Sequence, residues 1–329
     1  MGFWDRLMRL EDRIEPVRVG IVGDDSMERK FMESAYLQSP KARIVFSGSC
    51  EECKKALKKG DLELIEIFAP MEKRAELALE CLDSGVNVST GMPPAIGLNE
   101  MELLKQKAEM RGKLVRVRNA LLYYEAYQKA RELLEQEKIG YATMLKLVIK
   151  RKEGPGENFD IVRWILEKES DYISLAEYFY GPVEKIFSLN SLGGDGTAGS
   201  ILLGFKFKTR HRFGYLLLDF TPELQIRTFT EPVFRQVWLT GTAGVIMVNR
   251  GEGQLWRVPV LLLRAKDYSH SWEYLKDQWE DIYPAMVNDV FCALRQERAL
   301  VSGLALAERG MRVALAGGKS ITQREEIAV

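Results

Sequence analysis

Several stretches of the chain carry residue types at spacings that could do chemistry. The first is VRVGIVGDDSMERKF at residues 17–31, where a β-branched run meets Gly23 and then the composition of a helix. A G-x-G-x-x-G turn in that context holds a pyrophosphate, because its glycines allow a tight turn, close backbone approach to phosphate and close helix-on-strand packing. Here the three positions are Gly23, Asp25 and Glu28, so only the first glycine is present. Asp24 and Asp25 bring negative charge to where a dianion would approach, and carboxylates at a helix N-terminus take its N–H donors themselves. Asp24 or Asp25 is expected to cap that helix, and Ser26 offers one hydroxyl to a ligand. Cys50 and Cys53 have redox spacing near a helix start, which would lower a thiol pKa, but they supply only two of the four ligands of a structural zinc site. With Cys81 alone on another helix, neither a metal site nor a disulfide is expected.

Two further glycine motifs lack the elements they need. GDGTAG at residues 194–199 is a literal G-x-G-x-x-G, yet it lies between the strand-like runs KIFSLNSL and ILLGFKF, so it reads as a hairpin loop. GGKS at residues 317–320 resembles the end of a phosphate-binding loop, but Val313 stands where that loop needs glycine.

The elements that would position these residues fall into three segments. Residues 1–16 place Phe3, Trp4, Leu7, Met8, Leu10 and Ile14 near one helical stripe, with Pro16 ending it. Its polar face mixes acidic and basic residues, so a helix docked on its own protein or on a neighbouring subunit is favoured over a membrane anchor. Residues 17–122 alternate short apolar strands with helices, the mark of a parallel sheet covered on both faces and of a Rossmann-type α/β domain. Residues 123–329 begin with a helix and continue as extended runs, among them YATMLKLVIKR, SILLGFKFKT, FGYLLLDF, LQIRTF, RQVWLTGTAGVIMVN and GQLWRV, before a closing helical stretch. Alternation of apolar with polar residues there predicts an α+β domain on a largely antiparallel sheet with one open face.

Composition narrows the function classes. Lys plus Arg and Asp plus Glu both total 47, so net charge is zero and no overall field draws nucleic acid or anionic lipid. Four cysteines without a signal-peptide pattern point to a reducing cytoplasm. Apolar runs such as VPVLLL are too short to span a bilayer.

Taken together, the Rossmann order, IFAP at residues 67–70, VSTGMPPA at 88–95, EKIG at 137–140, AEYFYGPVEKI at 176–186 and TGTAGVI at 240–246 resemble the Gfo/Idh/MocA family of NAD(P)-dependent oxidoreductases, which act mostly on sugars and cyclitols. The resemblance implies a cofactor crevice at Gly23, Asp25, Ser26 and Pro70, with NAD or NADP as the cofactor if any binds. It places Ser49 where an acidic residue would hold the ribose of NAD. It also sets Gly91, Met92 and Pro93 on the family's Glu-Lys-Pro motif, so a thioether replaces the catalytic ammonium and has no proton to give. The family's helix-borne aspartate, histidine and second aspartate fall on Glu167, Asp171 and Ser174. His211 and His270 are the only histidines, and neither falls in that helix. Substitute acid/base candidates are Lys168, Tyr172, Asp171 and Glu167. These departures suggest a non-catalytic, ligand-binding or partner subunit that takes a sugar-like molecule or supports an active paralogue. An oxidoreductase with an altered acid/base group is the alternative. The resemblance further implies a homo-oligomer formed through the open face of the C-terminal sheet.

Overall fold

The computed structural model describes residues 15–58, 60–223, 233–251, 260–266, 268–276 and 279–329. The helix expected at residues 1–16, apart from its last two positions, and the strands expected at LQIRTF and GQLWRV lie outside the described residues. The chain divides into two compact units, one of Met1–Ala120 with Gln278–Leu304 and one of Leu121–Asp277 with Ala305–Val329.

In the first unit the chain runs β1 (Val17–Gly23), α1 (Met27–Gln38), β2 (Ala42–Gly48), α2 (Cys53–Lys58), β3 (Leu64–Phe68), α3 (Met71–Asp83), β4 (Asn87–Gly91), α4 (Leu98–Arg111) and β5 (Val115–Arg118). The strands form one parallel sheet in the order β2-β1-β3-β4-β5. Every residue of β3 and β5 is buried, as strands covered on both faces must be. The order in which successive strands are laid down reverses between β1 and β3, and open α/β sheets bind ligands outside the carboxyl ends of such a pair.

The second unit carries α5 (Glu125–Glu135), β6 (Ala142–Arg151), α6 (Ile161–Tyr180), β7 (Val183–Asn190), β8 (Gly199–Phe207), β9 (Phe213–Phe220), β10 (Val233–Gly241), β11 (Gly244–Gly251), β12 (Leu261–Ala265) and β13 (Tyr268–Trp272). After α7 (Trp279–Leu294) it closes with α8 (Leu304–Gln323) and β14 (Ile327–Ala328). Its sheet has the order β13-β12-β11-β10-β6-β9-β8-β7-β14 and is antiparallel except where β6 runs beside β9. Alternation works as expected: Ile201, Leu203, Phe205, Phe207, Leu216 and Leu218 are buried, while Phe187, Leu189 and Phe213 on the other set of positions are exposed. GDGTAG lies in the β7–β8 connection and GGKS inside α8.

One segment expected with the second domain belongs to the first. Helix α7 packs on α1, with Phe31 stacked on Tyr283 and Tyr36 edge-on to Phe291, because its apolar stripe of Met286, Val287, Val290 and Phe291 completes the cover of the parallel sheet. Among the described residues no helix is long and apolar enough to cross a membrane.

Candidate functional site

The ends of β1 and β3 enclose a cavity of about 210 Å³ whose walls include Asp24, Ser26, Glu28, Pro70, Arg74 and Arg118. Gly23 has φ +129°, and a Cβ there would stand 1.8 Å from the Phe68 carbonyl oxygen. Glycine is required at that position by close strand-to-strand approach as well as by φ. The Asp24 N–H donates to the same Phe68 carbonyl at 2.8 Å. The cap of α1 corrects the sequence reading. Ser26, not Asp24 or Asp25, is the capping residue, and its hydroxyl accepts from the Arg29 N–H at 3.1 Å, because the helix starts at Met27 and the hydroxyl is the side chain in place. Asp25 instead pairs with Lys30 at 3.2 Å on the surface.

Behind the cavity lies a run of buried charge. Register puts Ile21, Glu66, Ser89 and Arg116 in one row across the sheet. Ser89 is small enough for Arg116 to cross β4, donating from Nε to the Ser89 hydroxyl at 2.9 Å and from Nη2 to Glu66 at 2.5 Å. Arg118, two residues on and facing the same way, gives Nη1 to the other Glu66 oxygen at 2.9 Å and Nη2 to the Ile67 carbonyl at 2.8 Å. Its Nε donates to Glu28 at 3.0 Å, and its guanidinium lies 4.0 Å from the centre of the Phe68 ring, a cation–π contact. Tyr36 donates its hydroxyl to Glu66. Burial pushes the Glu66 carboxyl up, but Arg116, Arg118 and the Tyr36 hydroxyl outweigh it and hold the group below the usual carboxylate range. Burial and the adjacent Glu66 charge push the Tyr36 phenol well up.

Arg74 of α3 organises the opposite wall. Its Nε donates to the Ala69 carbonyl, and its Nη1 donates to the carbonyls of Met92 and Pro93, each at 2.9 Å. A Cβ on Gly91 would stand 2.9 Å from the Arg74 guanidinium carbon, so the guanidinium occupies the space a larger residue at 91 would need. Met92 is buried. Ser49, after β2, is engaged locally, its N–H donating to Glu52 at 3.2 Å.

In the second unit, α6 separates the acid/base candidates. Glu167 and Lys168 are exposed and pair with each other at 2.8 Å, and Asp171 is half-buried. Tyr172 is buried, and its hydroxyl accepts from Arg235 Nε at 2.5 Å. One turn away Glu169, fully buried, pairs with Arg151 at 2.6 Å, and Arg151 and Arg235 both lie within 6 Å of the Tyr172 ring centre. Among the described residues no three His, Cys, Asp or Glu side chains converge to hold a metal ion.

No family model and no curated protein sequence matches the chain. Solved structures do. A protein named as an NADPH-dependent oxidoreductase from Desulfitobacterium hafniense superposes with a TM-score of 0.80 at 16% identity, covering 95% of this chain and 98% of that one. An oxidoreductase from Agrobacterium radiobacter, solved with NAD+, L-tartaric acid and magnesium, gives 0.79 at 11%, with 95% and 98% covered. A protein named as a myo-inositol dehydrogenase from Sinorhizobium meliloti gives 0.76 at 13%, with 95% and 99% covered. The chain shares the fold of these proteins, a parallel-sheet α/β domain with a second, largely antiparallel sheet.

On that scaffold, Ser26 and Pro70 line the cavity beside the Gly23 turn, whereas Met92 and Pro93 meet it through Arg74. Asp25 and Ser49 are not among the cavity-lining residues. Sequence reasoning missed Arg74, Arg118 and Glu66, and in the second unit Arg151, Glu169 and Arg235. A signal existed for some of them. Glu66 interrupts the apolar LIEIF, and VRVR puts Arg116 and Arg118 on one strand face. Charges in strands buried on both faces must pair with one another.

Proposed function

We propose that this chain uses the oxidoreductase fold without the oxidoreductase reaction, as a ligand-binding or partner subunit that takes a sugar-like molecule or supports an active paralogue in the cytoplasm. One observation carries the reading: the Glu28 carboxylate, at the third position of the glycine fingerprint, is bonded to Arg118 in the crevice where a pyrophosphate would lie. Arg118 spends its other bonds on Glu66 and backbone carbonyls, and Arg74 gives three donors to carbonyls. Phosphate therefore meets two lining carboxylates, Asp24 and Glu28, and guanidinium groups already committed. The residues present do not fit a dinucleotide. Met92, in the lysine's place, adds no proton donor. Calorimetry with NADH and NADPH tests this: no saturable binding is expected in the micromolar range, and a clear micromolar titration overturns it.

A second reading, an oxidoreductase with an altered acid/base group, draws on Tyr172, whose hydroxyl is held by a buried arginine as a positioned proton carrier would be. Turnover of NAD(P) with a panel of polyols that disappears in Tyr172→Phe would favour it over the first reading. For assembly, the exposed Phe187, Leu189 and Phe213 on the open sheet face support a homo-oligomer formed through that face.

A further inference from the structure

The cysteine spacing in the sequence points at Cys50 and Cys53, but the fold pairs the thiols differently. Cys53 opens the short helix α2 and Cys81 lies in the last turn of α3, and their sulfurs are 3.8 Å apart across 28 residues of chain. Both side chains are fully buried, whereas Cys50 retains slight exposure. We propose that Cys53 and Cys81 form a peroxide-sensitive dithiol that closes to a disulfide, tying α2 to α3, and that Cys50 takes no part.

The geometry needs little movement. Sulfurs already in contact must close to about 2.05 Å, which side-chain rotation supplies when the Cβ atoms are suitably placed. Helix α2 spans only six residues and carries the exposed Lys54 and Lys55. So short a helix opens locally at low cost and admits a small hydroperoxide. The thiols are also unequal. The hydrogen bond from Cys81 holds the Cys53 thiol below its ordinary pKa against burial, and the same bond, with burial, pushes Cys81 well up. Cys50 is raised by burial and by the charges of Asp24 and Glu51. Cys53 is therefore the thiolate that attacks.

The step balances with hydrogen peroxide as the two-electron oxidant. The Cys53 thiolate attacks one peroxide oxygen and the O–O bond breaks. Hydroxide leaves and takes up a proton to become water, and Cys53 becomes a sulfenic acid. The Cys81 sulfur then attacks the Cys53 sulfur, and the S–O bond breaks. The departing hydroxyl takes the Cys81 proton and leaves as a second water.

The test uses the full-length protein treated with hydrogen peroxide, alkylated, digested with trypsin and read by mass spectrometry. Trypsin leaves Cys50 and Cys53 together on residues 44–54 and Cys81 on residues 75–105. A cross-linked pair of these peptides, lighter by two hydrogens than their sum and released by reductant, is expected in the wild type and undiminished in Cys50→Ser. It is expected to be lost in Cys81→Ser. A bond within residues 44–54, a cross-link that disappears in Cys50→Ser, or no cross-link when Cys50 is oxidised would each overturn the proposal.

Discussion

Replacing Glu28 with glutamine isolates the charge in the crevice from its shape. Glutamine is nearly isosteric, and its carbonyl can still accept from Arg118 Nε, now 3.0 Å from the carboxylate, so the wall of the cavity is expected to stay in place. A unit charge about 5 Å from a phosphate is worth about 3 kcal/mol at an effective dielectric of about 20. The Glu28 side chain is 43% exposed, so solvent and salt reduce that to about 1 kcal/mol. Relief of the competition for Arg118 adds a fraction of a charge-assisted hydrogen bond, itself about 1.5–3 kcal/mol. Together these give about 5- to 30-fold tighter binding of a diphosphate in Glu28→Gln, since each 1.4 kcal/mol is about tenfold. ADP is the probe, titrated by NMR so that weak binding to the wild type is still measurable. The gain should shrink at high salt, because the term removed is electrostatic. Unchanged ADP affinity at low salt, in a variant that melts like the wild type, would refute the claim that acidic crowding is what keeps phosphate out.

The remaining predictions concern the scaffold and its assembly. Glu66→Ala removes the buried carboxylate that Arg116 and Arg118 share, leaving Arg118 the half-exposed Glu28, and should cost about 3–5 kcal/mol in urea unfolding; a loss under about 1 kcal/mol would mean that other groups neutralise the pair. Because the folded Glu66 is held below its unfolded pKa, its contribution is present above the unfolded carboxylate range and lost as pH falls through the folded value. The acid-side slope of wild-type stability should therefore flatten in Glu66→Gln. Gly23→Ala should fail to accumulate as folded protein, since its Cβ would overlap the Phe68 carbonyl; a cooperative wild-type-like melt would contradict the strand-end geometry. Phe213→Asp, which puts a charge at a position 54% exposed in the single chain, should lower the mass seen by light scattering while leaving the melt of the dilute protein unchanged.

The fold was legible in the sequence because it rests on periodicity. Strand and helix lengths between residues 17 and 122 follow from where apolar runs meet Gly and Pro, and the strand-like flanks of GDGTAG marked it as a hairpin loop. What sequence could not show is which side chains span more than one strand. Arg116 reaches Glu66 only because Ser89 between them is small, a fact of register across β3, β4 and β5. Arg74 fills the space beside Gly91 from a helix 17 residues upstream in the sequence. Helix α7 returns to the first unit by packing on α1, which no local pattern announces.

The cap on α1 shows the same limit at single-residue scale. Two aspartates ahead of a helix satisfy every compositional rule for capping, yet the helix starts at Met27 and the residue next to it, Ser26, takes that role, which leaves Asp24 among the residues lining the cavity and Asp25 on the surface with Lys30. That choice of cap bears on function. Had Asp24 or Asp25 capped the helix, its carboxylate would have been neutralised by backbone N–H groups and the crevice would be less acidic. With a hydroxyl doing the capping, Asp24 stays an exposed acidic residue lining the cavity alongside Glu28. The acidic lining at the end of β1 is then a property of how the helix begins, and placing glycines at 25 and 28 alone would leave Asp24 among the lining residues.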